Sequence, residues 1–194
     1  KKYFFDHYHF DCVLTLLTAA SSFGVAAEYP EGTTVGVIGW DLGLSIVPCY
    51  KNQALFFDHE PSFKCHTIFR EGRRGLHDAG HMVVVKDGRS CRCGKRGCLE
   101  AYAGALAIIE TLHRPDIRKM HQLVEAALRE DAQVLDELRR AAFMIGELMA
   151  SIIPFMGIDR IVFSGPMANV FPLIRPAFCE GLAKLMPDDD IAYV

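Results

Sequence analysis

The sequence predicts an α/β or α+β fold built on one mixed sheet, and three observations lead there. Short β-rich runs lie close together at 33–40 and 44–50. A long stretch from Asp131 repeats apolar residues at helical spacing, and the last third then returns to strand, helix and strand. The 194 residues, 51% hydrophobic and 23% charged, fit a single domain with a sizeable core.

In chain order, the apolar, Ala/Thr-rich stretch from Asp11 to Phe23 reads as a buried helix stopped by Gly24, with a strand as the alternative. Tyr29-Pro30-Glu31-Gly32 is a turn. Thr33 to Trp40 and Leu44 to Tyr50 read as two short β-rich runs around Trp40-Asp41-Leu42-Gly43, a hairpin. Residues 51–75 show no period and suggest a functional loop or an irregular strand pair. Met82 to Lys86 reads as a strand, turned by Asp87-Gly88 into a cysteine-rich stretch.

Glu100 to His113 reads as one helix, and Pro115-Asp116 as the start of a second that runs toward Glu130. Asp131 opens a third, whose apolar positions Val134, Leu135, Leu138, Ala142, Ile145, Leu148, Met149 and Ile152 share one face and which Pro154 should end. Ile158 to Phe163 is a buried strand, Ser164-Gly165-Pro166 a turn, 170–186 a helix with a possible kink at Pro176, and Ile191 to Val194 a last strand.

The net charge of −3 and a pI near 6.2 exclude the broad basic surface that binds nucleic acid; the short clusters at 70–74 and 89–96 read as solvated loops. No run of about 18 apolar residues is present, so no membrane span is expected. The opening Lys1–His7 lacks the apolar core of a signal peptide and an initiating Met, which points to a cytoplasmic protein and a fragment. Cys12, Cys49, Cys65 and Cys179 sit in apolar surroundings and read as reduced thiols.

The strongest chemical signal lies between Gly80 and Glu100. His81, Cys91, Cys93 and Cys98 follow H-x9-C-x-C-x4-C, the donor set of a closed tetrahedral zinc site. Gly94 and Gly97 allow the tight backbone such a loop needs, and Arg92, Lys95 and Arg96 offset the charge of three thiolates. Buried or disulfide-bonded cysteines are the plainer alternative, although a Cys-x-Cys pair closes poorly on itself.

His81-Met82 together with Cys91-x-Cys93-Gly94-x-x-Gly97-Cys98-Leu99-Glu100-Ala101-Tyr102 resembles the signature of the ROK family, bacterial sugar kinases and sugar-responsive transcriptional repressors. A looser likeness covers most of the chain, including Arg160 to Gly165 as the late strand and its turn. The resemblance implies an actin/hexokinase-like (ribonuclease H-like) α/β lobe with a zinc-binding loop. Residues 1–194 would be a single C-terminal lobe, with the N-terminal lobe and any DNA-binding region outside this sequence.

It also implies zinc ligation by His81, Cys91, Cys93 and Cys98, and sugar contacts from Asp78, His81 and Glu100; Asp78 stands where the family has a glutamate. The catalytic base of the kinases aligns with Asp11, but Phe10 replaces the neighbouring asparagine. The kinase phosphate loop aligns with Gly39 to Ser45, where Trp40 and Asp41 interrupt the glycines and Asp41 opposes phosphate. For Glu100 the plainer role is an acid in a helix's first turn, for Asp78 a loop acid or N-cap, and for His77 a surface histidine.

The expectation is therefore the sugar-sensing lobe of a ROK-type regulator. Its structural zinc holds no catalytic role, its ligand is a sugar or sugar phosphate, its partner is a second copy of itself, and it reaches DNA only through another region. An ATP-dependent hexose or N-acyl-hexosamine kinase is the alternative, with ATP as cofactor, and a zinc-stabilised scaffold that binds no sugar is a third.

Overall fold

The computed structural model of the protein describes residues 24, 27–30, 32–50, 53–54, 79–186 and 192–193. The expected helix at 11–23, most of the segment 51–75, and the candidate residues Asp11 and Asp78 lie outside the described residues.

One mixed sheet organises the fold. Strands β1 (Thr34–Trp40), β2 (Leu44–Tyr50), β3 (Gln53–Ala54), β4 (Arg160–Ser164) and β5 (Ala192–Tyr193) lie in the order β3-β2-β1-β4-β5. The β1–β2 and β2–β3 pairs are antiparallel, and β1–β4 and β4–β5 are parallel. The mixed α/β architecture agrees with the sequence.

Strand β1 is central, so both its faces are buried and its sequence is an almost continuous apolar run rather than an alternation. Ile38, Trp40, Leu44 and Ile46 share one face and join the main core; Val35, Val37, Val47 and Cys49 are buried on the other.

Helices α1 (Glu100–Ala103), α2 (Ala105–Leu112), α3 (Met120–Leu128), α4 (Ala132–Met156) and α5 (Phe171–Ala183) supply most of the rest of that core. Asp131 caps α4 as expected, its Oδ1 accepting from the Val134 amide at 3.2 Å. Phe163 of β4 stacks on Phe171 with ring centroids 4.0 Å apart and meets Phe178 edge-on at 5.2 Å, which ties α5 to the sheet.

Five expectations are corrected. Residues 82–86 are not a strand: Val84 and Val85 both donate to the Gly97 carbonyl and Asp87 turns left-handed, leaving only a single bridge between Val83 and Cys98. The helix expected over 100–113 breaks at Gly104, which is extended (φ −62°, ψ 143°), because the next two amides, of Ala105 and Leu106, donate across to the Asp41 and Leu42 carbonyls of the hairpin turn. Helix α3 starts at Met120, not at Pro115-Asp116, because the Asp116 carboxylate is held by Arg114; Gln122 Oε1 instead accepts from the Lys119 amide at 3.0 Å.

Pro154 does not end α4, because near the C-terminus it removes one backbone bond without blocking the last turn. Gly157, left-handed at φ 60°, ends the helix, and its amide returns to the Ile153 carbonyl. Strand β4 begins two residues later than expected, because Asp159 is spent on the start of β1: its Oδ2 accepts from the Thr34 amide at 2.8 Å and its own amide donates to the Thr34 carbonyl.

Candidate metal centre and the adjoining cavity

Residues 82–98 double back as an irregular knuckle. The Val83–Cys98 bridge closes its base, a Ser90–Arg96 bridge its middle, and the tip is a tight turn in which the Cys91 amide donates to Lys95 O and the Gly94 amide to Cys91 O. Gly97 is required twice over. Its φ is +79°, and a Cβ there would lie 1.7 Å from the Val85 carbonyl oxygen.

This folding brings His81, Cys91, Cys93 and Cys98 together, with their ligand atoms all within 4.8 Å of one another. His81 Nδ1 lies 3.5 Å from Cys91 Sγ, and Cys93 Sγ lies 3.6 Å from Cys98 Sγ. Three sulfurs and an imidazole converging on one point suit a borderline divalent cation such as zinc, and the open tip and closed base give the loop room to adjust around it. Cys98 is buried, whereas Cys91 and Cys93 are half-buried.

Burial and the two neighbouring thiols push Cys98 up to about 12, and burial also raises Cys91. Burial acts the same way on Cys93, but the hydrogen bonds from the Lys95 amide and the other two cysteines outweigh it and hold that thiol below its ordinary value. A cation at the centre would have to displace the protons of the two raised thiols.

Several supporting contacts escaped the sequence reading. Lys95 Nζ donates to the His81 carbonyl at 2.6 Å and pins the histidine to the loop. The Tyr102 hydroxyl accepts from the Arg89 amide at 2.8 Å, and the Arg89 guanidinium lies over the Tyr102 ring at 4.7 Å while donating to Thr111 Oγ1 at 3.0 Å. That hydroxyl comes so close that a Cβ on Gly88 would meet it at 2.2 Å. The Trp40 indole donates to the Ala103 carbonyl at 2.7 Å, joining the end of β1 to α1. Only the nearness of Tyr102 to the cysteine motif hinted at any of this.

Glu100, the first residue of α1, turns its carboxylate toward the β1–β2 hairpin. Oε2 accepts from the Leu44 amide at 3.4 Å and would stand 2.6 Å from a Cβ on Gly43, while Oε1 lies 3.9 Å from Cys91 Sγ. Glu100 thus links the cysteine knuckle to the hairpin turn. An adjoining cavity of about 690 Å³ is lined by Glu100, Cys91, Leu42, Arg89, Arg92 and Glu110, among others, a volume typical of small-molecule sites. Of the expected sugar contacts, Glu100 lines this cavity, whereas His81 belongs to the cysteine cluster and is not among the residues that line it.

Comparison with known proteins follows the same line. The model of the ROK family matches residues 64–188. The xylose repressor of Bacillus spizizenii is 26% identical over 98 residues, which cover 50% of this chain and 26% of that protein. The kanosamine kinase of Amycolatopsis mediterranei is 28% identical over 118 residues, covering 58% of this chain and 38% of that protein. The crystal structure of a ROK family glucokinase from Streptomyces griseus, in complex with glucose and AMPPNP, superposes with a TM-score of 0.73 at 20% identity over 98% of this chain and 64% of that one. The chain therefore has the fold of the ROK sugar kinases, while spanning about a quarter to two fifths of the curated relatives' length.

Proposed function

Since this chain belongs to the ROK family, we propose that it is the second, sugar-binding lobe of a ROK-type transcriptional regulator, with a structural zinc ion held by His81, Cys91, Cys93 and Cys98. The observation that favours a regulator is the state of the hairpin turn, the part that aligns with the kinase phosphate loop. Its amides already have acceptors: Asp41 N–H donates to Gly43 O at 3.0 Å, Leu42 N–H to Asp41 Oδ1 at 2.7 Å, and Leu44 N–H to Glu100 Oε2. Two of those acceptors are carboxylates, whose charge opposes a phosphate, and a phosphate needs open amides of the opposite polarity. The first amides of α2 are engaged too, Ala105 with Asp41 O and Leu106 with Leu42 O.

Zinc would supply rigidity, fixing the imidazole and the knuckle against α1. Around it, Asp78, His81 and Glu100 would take up the sugar, the carboxylates accepting from vicinal hydroxyls and the imidazole contributing the nitrogen that faces away from the cluster. Binding would close this lobe on the other and move a DNA-binding region encoded outside this sequence, in a cytoplasmic homo-oligomer.

A second reading, an ATP-dependent sugar kinase, is favoured by the likeness to the glucokinase complex and to kanosamine kinase; Asp11 would then be the base. Assaying the full-length protein against a panel of hexoses, pentoses and N-acyl-hexosamines separates the readings. The expected result is a sugar-dependent rise in melting temperature without ATP consumption. Sugar-dependent ATP turnover would overturn the regulator in favour of the kinase, and neither effect would leave a zinc-stabilised scaffold.

A further inference from the structure

We infer that Cys93 and Cys98 are a peroxide-sensitive pair, whose oxidation to a disulfide expels the bound metal and loosens α1 from the hairpin. This rests on the metal-binding reading above. The geometry selects this pair among the three thiols of the cluster. Their sulfurs are 3.6 Å apart, so a side-chain rotation brings them to the bonding distance of about 2.05 Å. Cys91 also neighbours both of these thiols, but its Sγ meets the His81 ring at 3.5 Å and the Glu100 carboxylate at 3.9 Å, and the single residue between it and Cys93 makes that pair close poorly. The segment between Cys93 and Cys98 includes Gly94 and Gly97, both at positive φ, and nothing lies within 4 Å of where a Gly94 Cβ would be. A small oxidant therefore reaches the half-buried Cys93 at the open tip, while Cys98 waits, buried, at the base.

The chemistry needs one molecule of peroxide. The Cys93 thiolate attacks a peroxide oxygen, giving a sulfenic acid and, with one proton, water. The Cys98 thiolate then displaces hydroxide from that sulfur; the S–S bond forms and the hydroxide takes a proton to become a second water. The two sulfurs lose two electrons, the peroxide gains them, and the metal keeps its oxidation state. Deprived of two of its four donors, the site releases the ion.

The consequence travels along the backbone. Cys98 is paired with Val83, Leu99 donates to the Met82 carbonyl, and Glu100 starts α1, whose Ala103 carbonyl holds the indole of Trp40. Trp40 is the only tryptophan in the chain and is fully buried, so its fluorescence reports the seating of α1.

The test treats the zinc-loaded protein with hydrogen peroxide in the presence of a chromogenic zinc chelator. The expected result is release of about one zinc per chain, as a four-ligand site holds. Tryptic peptides bridged through Cys93 and Cys98, a red shift of the Trp40 emission, and reversal by dithiothreitol plus zinc should accompany it. Cys179→Ser, which removes a half-buried thiol on α5, should release zinc in the same way. Zinc retained after peroxide, or a bridge formed through Cys91 or Cys179, overturns this inference alone. A protein that holds no zinc before oxidation overturns the metal reading and this inference with it.

Discussion

At the scale of single residues, Arg114 shows how one side chain can position two segments. Its guanidinium grips Asp116 Oδ2 at 2.6 Å and Asp131 Oδ2 at 2.6 Å, so the loop after α2 is tied to the N-cap of α4. The hydrogen bond from Arg114, seconded by the Val134 amide, holds the Asp131 carboxyl below its ordinary value. A depressed carboxyl stabilises the fold above its unfolded value, near 4, and loses that contribution as pH falls through the folded one. Asp131→Asn keeps a good N-cap but gives up the charge. Its stability deficit relative to the parent is expected to be constant above about pH 5 and to shrink toward pH 2. Chemical denaturation across that range checks it, and a deficit independent of pH would remove the ion pair from the account.

At the scale of elements, the crossing of α4 and α5 is set by two glycines. A Cβ on Gly146 would stand 2.2 Å from the Phe178 carbonyl oxygen, and one on Gly181 would stand 2.2 Å from that of Phe143. These are backbone atoms, which cannot swing aside, so the helices would have to separate and unpack Ile145, Met149, Phe178 and Leu182. Gly146→Ala should therefore cost about 3 kcal/mol, the upper part of the overpacking range. Gly157→Ala is the contrast: φ is +60° with nothing within 4 Å, so only left-handed strain of roughly 1–2 kcal/mol is added. Equal losses for the two in urea denaturation would mean the helices are not in contact there. Neither glycine stood out in the apolar periodicity of α4 and α5, because a helix pattern shows which face is buried and not how closely its partner comes.

At the scale of the whole molecule, the cysteine knuckle is a fastener between layers. It anchors α1, α1 holds Trp40 and the β1–β2 hairpin, and the hairpin lies beside β4 in the sheet that α4 and α5 cover. Removing the proposed zinc should be felt beyond the loop. Elemental analysis is expected to find about one zinc per chain. Chelation, or Cys93→Ser, should remove it and lower the melting temperature by roughly 5 °C, what about 2 kcal/mol produces in a domain of this size. Retained metal with unchanged melting would defeat the structural role. Among the described residues no helix is long and apolar enough to cross a membrane.

What the sequence determined by itself was whatever local chemistry specifies. The hairpin at 34–50 followed from two β-rich runs around a turn, the start of α4 from Asp131 before an apolar period, and the four-donor set from histidine and cysteine spacing. In each case the residues that decide the outcome are neighbours along the chain. Tertiary structure decided the rest. It broke the expected helix at Gly104 because the hairpin turn takes the next two amides, and carried α4 past Pro154 to Gly157. It denied Met82–Lys86 a strand, because the Gly97 carbonyl takes two of its amides, and set Glu100 against the β1–β2 turn. These outcomes depend on atoms far apart in sequence meeting within a few ångströms, and no local pattern encodes a distance of closest approach.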